Sequence, residues 1–88
     1  MKIFYFMGRN PKTKGGVSWK IWKINRIGRT VITLWGRARL QDRKVVPGGD
    51  LASKVFRFSS IEAAREFETS RVRSKLKKGY QRRTRRRT

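Results

Sequence analysis

Apolar and polar positions alternate along the first half of the chain, and that alternation predicts strands. Lys2 to Met7 is aromatic and β-branched and reads as a first strand. Gly8 to Gly16 (Gly-Arg-Asn-Pro-Lys-Thr-Lys-Gly-Gly) gathers turn formers and reads as a loop. Val17 to Ile27 predicts a second strand that is apolar on both sides, with Trp19 and Ile21 on one face and Trp22 and Ile24 on the other. The pattern favours Trp19 and Ile21 inside; a one-residue bulge would reverse that choice. Arg26-Ile-Gly-Arg29 is a tight reversal, so this strand pairs as a hairpin with a third, Thr30 to Ala38. In the third strand Ile32 and Leu34 share one face, and Val31, Thr33, Trp35 and Arg37 share the other. Leu40 to Lys54 reads as turn-like around Pro47-Gly-Gly-Asp50, and Val55 to Phe58 as a short fourth strand.

The period then changes to that of a helix. Ser59 with Glu62 fits a reciprocal capping box, in which two side chains satisfy orphan backbone donors. Ile61, Ala64, Phe67, Val72 and Leu76 form an apolar face of imperfect spacing. Lys77 and Lys78 suit the negative end of the helix dipole, and Gly79 is the left-handed stop. Tyr80 is expected to fold back on the core, with contact to a ligand as the alternative. The architecture so predicted is α+β: a small antiparallel β-sheet with one C-terminal α-helix packed on it. It forms a single domain over residues 1–80. Residues 81–88 have no apolar side chain to bury and read as a disordered basic tail.

Charge narrows the functional classes. Of 88 residues, 25 are Lys or Arg and 5 are Asp or Glu, a net charge of +20. Such a charge repels itself and asks for a polyanion. Ten of the basic residues fall between Arg71 and Thr88, whereas all five acids lie between Asp42 and Glu68. Phosphate contact with counterion release is the expected use, giving affinity without a choice of sequence. No apolar run approaches the roughly 20 residues of a membrane span. The apolar start, Met1 to Met7, is too short for a signal peptide and lacks a small-residue cleavage site. Disulfides are excluded, because the chain has no cysteine. A cytoplasmic or nucleoid location is the expectation that fits.

Trp35-Gly36-Arg37 is the most informative motif, closing the alternating run that begins at Thr30. It is followed by Phe56-Arg-Phe-Ser-Ser60, by Glu62-Ala-Ala-Arg-Glu-Phe67 and by Lys75-Leu-Lys-Lys-Gly-Tyr80. In order and spacing this set resembles the WGR domain, a small module found beside the catalytic domain of poly(ADP-ribose) polymerases and as standalone bacterial proteins. The resemblance covers residues 17 to 81. It implies a duplex-DNA binder, with Trp35 meeting the terminal nucleotide at a break. Arg37 would contact the 5′ phosphate or relay to adjoining domains. From the residues themselves, a flat Trp35 ring beside the missing side chain of Gly36 would make a platform for a sugar or base, with burial in the core as the plain alternative for a Trp on a strand. The Arg37 fork suits phosphate, with an ion pair to Asp42 or Asp50 as the plain alternative. Lys20 and Lys23 would extend the phosphate track. Arg39, with Arg43 and Lys44, follows on a loop, and Lys78 is placed in the groove of Arg37. Arg82 and Arg83 would add charge from the tail.

Catalysis has little to stand on. The chain has neither His nor Cys, so it lacks an imidazole base and the usual metal ligands, and no metal or cofactor is expected. The ADP-ribosyl transfer of the polymerases belongs to another domain. Two other functions stand as alternatives, the second less economical for so basic a composition. One is an RNA- or ribosome-associated basic protein, since Arg-rich segments can fold on RNA. The other is an adaptor that docks a protein through the Trp35–Arg37 face.

Overall fold

In the computed structural model, which describes residues 1–9, 12 and 16–82, the strands lie close to where alternation puts them. β1 (Lys2–Arg9), β2 (Val17–Ile27) and β3 (Thr30–Gln41) form an antiparallel meander. β4 (Lys44–Pro47), β5 (Ala52–Arg57) and β6 (Gln81–Arg82) complete a six-stranded sheet, with one helix, α1 (Ile61–Lys77), packed on it. The chain is α+β, as the periodicities require. Among the described residues no helix is long and apolar enough to cross a membrane.

The twelve residues of β3 organise the sheet. One edge pairs with β2 from Thr30 to Ala38, with Trp35 opposite Trp22 and Arg37 opposite Lys20. The other edge is shared between two strands: Thr30 to Trp35 pair with β5, and Ala38 to Gln41 with β4. Gly36 and Arg37 fall in the gap between these partners. The chain running from β4 to β5 passes there, tied down by the Gly48 amide donating to the Arg37 carbonyl at 2.9 Å.

The segment expected to be turn-like therefore contains strand. A two-residue reversal at Asp42 and Arg43, with φ of 50° and 66°, turns β3 directly into β4. Hairpin loops with two positive φ values match strand twist, but they usually announce themselves with Asn-Gly or Asp-Gly, which is absent here. Likewise Gln81 and Arg82 are not part of a tail. They pair with Tyr5 and Phe4, and the Tyr5 hydroxyl donates to Gln81 Oε1 at 3.1 Å. The other six residues of the expected disordered segment lie outside the described residues.

Packing reverses the expected choice of core face. The helix covers the side that bears Phe4, Trp22, Ile24 and Val31, which form the core with Ala64 of α1. Trp22 is 4% exposed, while Trp19 is only half-buried on the uncovered side. No bulge interrupts the regular pairing of β2, so side-chain alternation alone could not tell which face the helix would choose. Ile21 is nonetheless buried, on the side away from the helix.

The helix starts one residue later than its motif suggested. Ser60 is the N-cap, its hydroxyl accepting from the Ala63 amide at 3.1 Å, so the pairing of Ser59 with Glu62 is not used. Ala64, Phe67 and Val72 face the core, whereas Ile61 and Leu76 are exposed. The helix end follows expectation. The Gly79 amide donates to the Leu76 carbonyl at 3.1 Å and the Tyr80 amide to Lys75 at 3.0 Å, the paired bonds of a Schellman stop. Gly79 has φ of 101°, and a Cβ there would stand 3.2 Å from the Phe6 ring. Tyr80 then packs against Phe6, ring centroids 5.2 Å apart, and closes the core.

Candidate nucleic-acid interface

Strand register and helix phase together build a cleft beside α1. On β3, alternation sends Thr33, Trp35, Arg37 and Arg39 to the helix side. Cross-strand pairing sets Trp22 and Lys20 next to Trp35 and Arg37, and Lys54 next to Thr33 on the β5 side. Arg71 and Lys75, four residues apart on α1, reach over the same region. The resulting cleft has a volume of about 260 Å³. Trp22, Thr33, Trp35 and Phe56 line it, and Lys54, Arg71 and Lys75 bring the charge.

The cations are held against aromatic rings. Lys75 Nζ lies 5.4 Å from the centre of the Trp22 ring and 5.0 Å from that of Tyr80. The Arg71 guanidinium is 4.9 Å from Phe67 and 5.9 Å from Phe56, and Lys54 Nζ is 5.1 Å from Phe56. Ring faces position a cation without neutralising it, so each can still meet an anion. Burial lowers the pKa of Lys75 from the ordinary Lys value, and the charges of Lys78, Arg71 and Lys20 lower it further. Those causes show that Lys20 and Lys78 share the electrostatic neighbourhood of the cleft. Burial also raises the pKa of the Tyr80 hydroxyl, which keeps that ring neutral.

No acid lines the cleft. Glu68, one turn before Arg71 on the helix, is engaged elsewhere, 3.6 Å from Lys2 Nζ and 3.7 Å from Arg26 Nε. Among the described residues no ion pair joins Arg37 to Asp42 or Asp50, and no group of acids could hold a metal ion.

The residues singled out by sequence thus divide. Lys20, Trp35, Arg37 and Arg39 share the helix-side face, with Lys78 close by. Lys23 lies on the opposite face with Ile21, because it is an odd number of residues from Lys20 along a regular strand. Arg82 sits on β6, at the far edge of the sheet beyond β1. Arg83 lies outside the described residues.

Gly36 also points away from Trp35, so its missing side chain makes no platform beside that ring. It faces the β4–β5 connection, where an added Cβ would stand 2.9 Å from Leu51 Cδ2, the end of a flexible side chain, and at ordinary contact distance, 3.6 Å, from Leu51 Cα. Gly36→Ala is therefore expected to be accommodated by a turn of the Leu51 side chain, at a cost below about 1 kcal/mol, with little change in the cleft. Thermal unfolding together with duplex affinity would check both halves of that statement.

Sequence reading missed Lys54, Arg71 and Lys75 as a set. The signal was present in the helix, where Phe67, Arg71 and Lys75 recur at a spacing of four residues. Nothing in the sequence says that this stripe lies over Trp22 and Trp35. No protein-family model, curated protein or solved structure matches the chain at a significant level.

Proposed function

We propose that this chain is a non-enzymatic DNA-binding module that uses the cleft between α1 and β3 to engage duplex DNA at ends or nicks. One observation carries the reading: an acid-free cleft in which Arg71, Lys75 and Lys54 surround aromatic rings, with Trp35 40% exposed at its side. Arg37 and Lys20 extend the positive field along the strands. Cations so arranged suit backbone phosphates and release counterions when they bind. The exposed ring suits something flat. Inside a duplex each base face is covered by its neighbours, so a protein ring can lie on a base or sugar only where the stack is interrupted. The same Trp35 and Arg37 carry the resemblance to the WGR domain, and their shared face supports that part of the proposal.

The test is fluorescence anisotropy with a labelled 5′-phosphorylated duplex, using a dumbbell closed at both ends and a matched RNA duplex as competitors. Open DNA ends are expected to compete best, with a preference that survives added salt. Trp35→Ala is expected to weaken end binding by roughly fivefold to a hundredfold, the scale of one stacking contact, and to leave dumbbell binding almost unchanged. Its exposed ring makes a large loss of fold stability unexpected. Equal competition by all three nucleic acids would reject the end preference, and stronger competition by RNA would move the reading to an RNA binder.

A further inference from the structure

The sheet carries a second cluster of aromatic and basic side chains on the face that α1 leaves open. Tyr5 and Trp19 meet there with ring centroids 6.1 Å apart. A depression of about 260 Å³ runs from these rings to Arg43 and Lys44 at the β3–β4 hairpin. No acid lines it. Lys23 is presented on the same face of β2. Trp19 is paired with Ala38, whose neighbours Arg37 and Arg39 point to the helix side. The same strands therefore present cations and an aromatic ring in both directions.

An acid-free depression with two rings beside Arg43 and Lys44 matches phosphates and an exposed base or sugar. Duplex DNA is too stiff to serve both faces at once. The molecule is 24 Å through its thinnest dimension. A duplex with a persistence length of about 50 nm would have to reverse direction around that body. We infer that the Tyr5–Trp19–Arg43–Lys44 face is a second DNA site, and that one chain bridges two duplexes, one on each side of its sheet. This rests on the DNA-binding reading given above.

The experiment couples a bead-bound duplex to capture of a second, fluorescent duplex, with single-duplex anisotropy measured in parallel. Wild type is expected to capture the second duplex, with capture rising and then falling as protein exceeds DNA. Arg43→Asn with Lys44→Gln removes two charges and places Asn, which tolerates positive φ, where Arg43 has φ of 66°. That variant and Trp19→Leu are each expected to cut capture by roughly tenfold, the scale of one stacked base or phosphate pair. Single-duplex affinity should change by less than about threefold, since phosphate contacts on the helix side remain. The exposed charge pair on the hairpin is the independent check: its loss of capture cannot come from a repacked Trp19 site, and a charge-pair variant that captures as wild type overturns the inference even if Trp19→Leu does not.

Wild type that binds one duplex but captures none would overturn the inference and leave the first site standing. So would variants that capture as well as wild type, which would place bridging elsewhere in the chain. A dimer seen by sedimentation without DNA and abolished by Trp19→Leu would assign this face to a second copy instead. Loss of single-duplex binding in wild type would reject the underlying function, and the inference with it.

Discussion

Reversing the two helix cations, with Arg71→Glu and Lys75→Glu together, is expected to weaken duplex binding by about a hundredfold or more at low salt. Each charge-assisted hydrogen bond contributes about 1.5–3 kcal/mol, and the introduced carboxylates repel the phosphates that remain. Milder changes, Arg71→Gln with Lys75→Met, remove the positive charges without adding repulsion. They should flatten the plot of log affinity against log salt by about 1.8, as two fewer neutralised phosphates require. Folding should survive in both. Each cation–ring pairing at such a site stabilises the chain by about 0.5–1 kcal/mol, and relief of repulsion among Lys20, Arg71, Lys75 and Lys78 offsets part of its removal.

Lys75 gives this expectation a further edge. Its pKa in the folded chain is below the ordinary value of 10.5, first because of burial and then because of Lys78, Arg71 and Lys20. The folded chain therefore holds that proton less tightly than the unfolded one, and the charged side chain opposes folding at neutral pH. The opposition is complete below the folded pKa and fades as pH rises from there to 10.5. Lys75→Met is accordingly expected to lose less stability at pH 7 than its two ring contacts alone would cost, with that relief fading across the alkaline window, while DNA binding weakens.

Phe4→Ala carries the largest expected effect on stability. Phe4 is completely buried, 5.3 Å from the Trp22 ring and in the same cluster as Ile24, Val31 and Ala64. Removing such a ring costs about 3–5 kcal/mol, against the roughly 5–15 kcal/mol that holds a domain together. Self-repulsion from a charge of +20 leaves the chain little margin. A fall in melting temperature of about 15 °C or more is expected for a chain of this length. Duplex at a hundred times its dissociation constant should restore about 2.7 kcal/mol by binding only the folded form. Thermal denaturation followed by circular dichroism, with and without duplex, reads both effects.

Strand alternation was strong enough to show the fold class and the faces of β3. It put Thr33, Trp35 and Arg37 together because a strand has a strict period of two. It did not reveal which side of β2 the helix would cover. Both sides of that strand carry a Trp and an Ile, and the decision rests on Phe4, Val31 and Ala64, which meet only in the folded chain. The β3–β4 hairpin was hidden because Asp42 and Arg43 take the left-handed turn without a glycine. The cleft was half legible. Trp35 and Arg37 stand out as a motif, whereas Lys54, Arg71 and Lys75 become a site only through the docking of α1 across β3 and β5.

The three indole N–H signals offer the most direct measurement, because each Trp reports a different place. Trp35 stands in the cleft, Trp22 lies beneath it and Trp19 is on the opposite face. A heteronuclear NMR titration with a short 5′-phosphorylated duplex, the indole signals assigned by substitution, follows all three at once. The Trp35 indole is expected to shift at the first additions of duplex, together with the backbone amides of Lys54, Arg71 and Lys75. Saturable binding that leaves Trp35 and those amides unmoved would contradict the placement of DNA in the helix–sheet cleft.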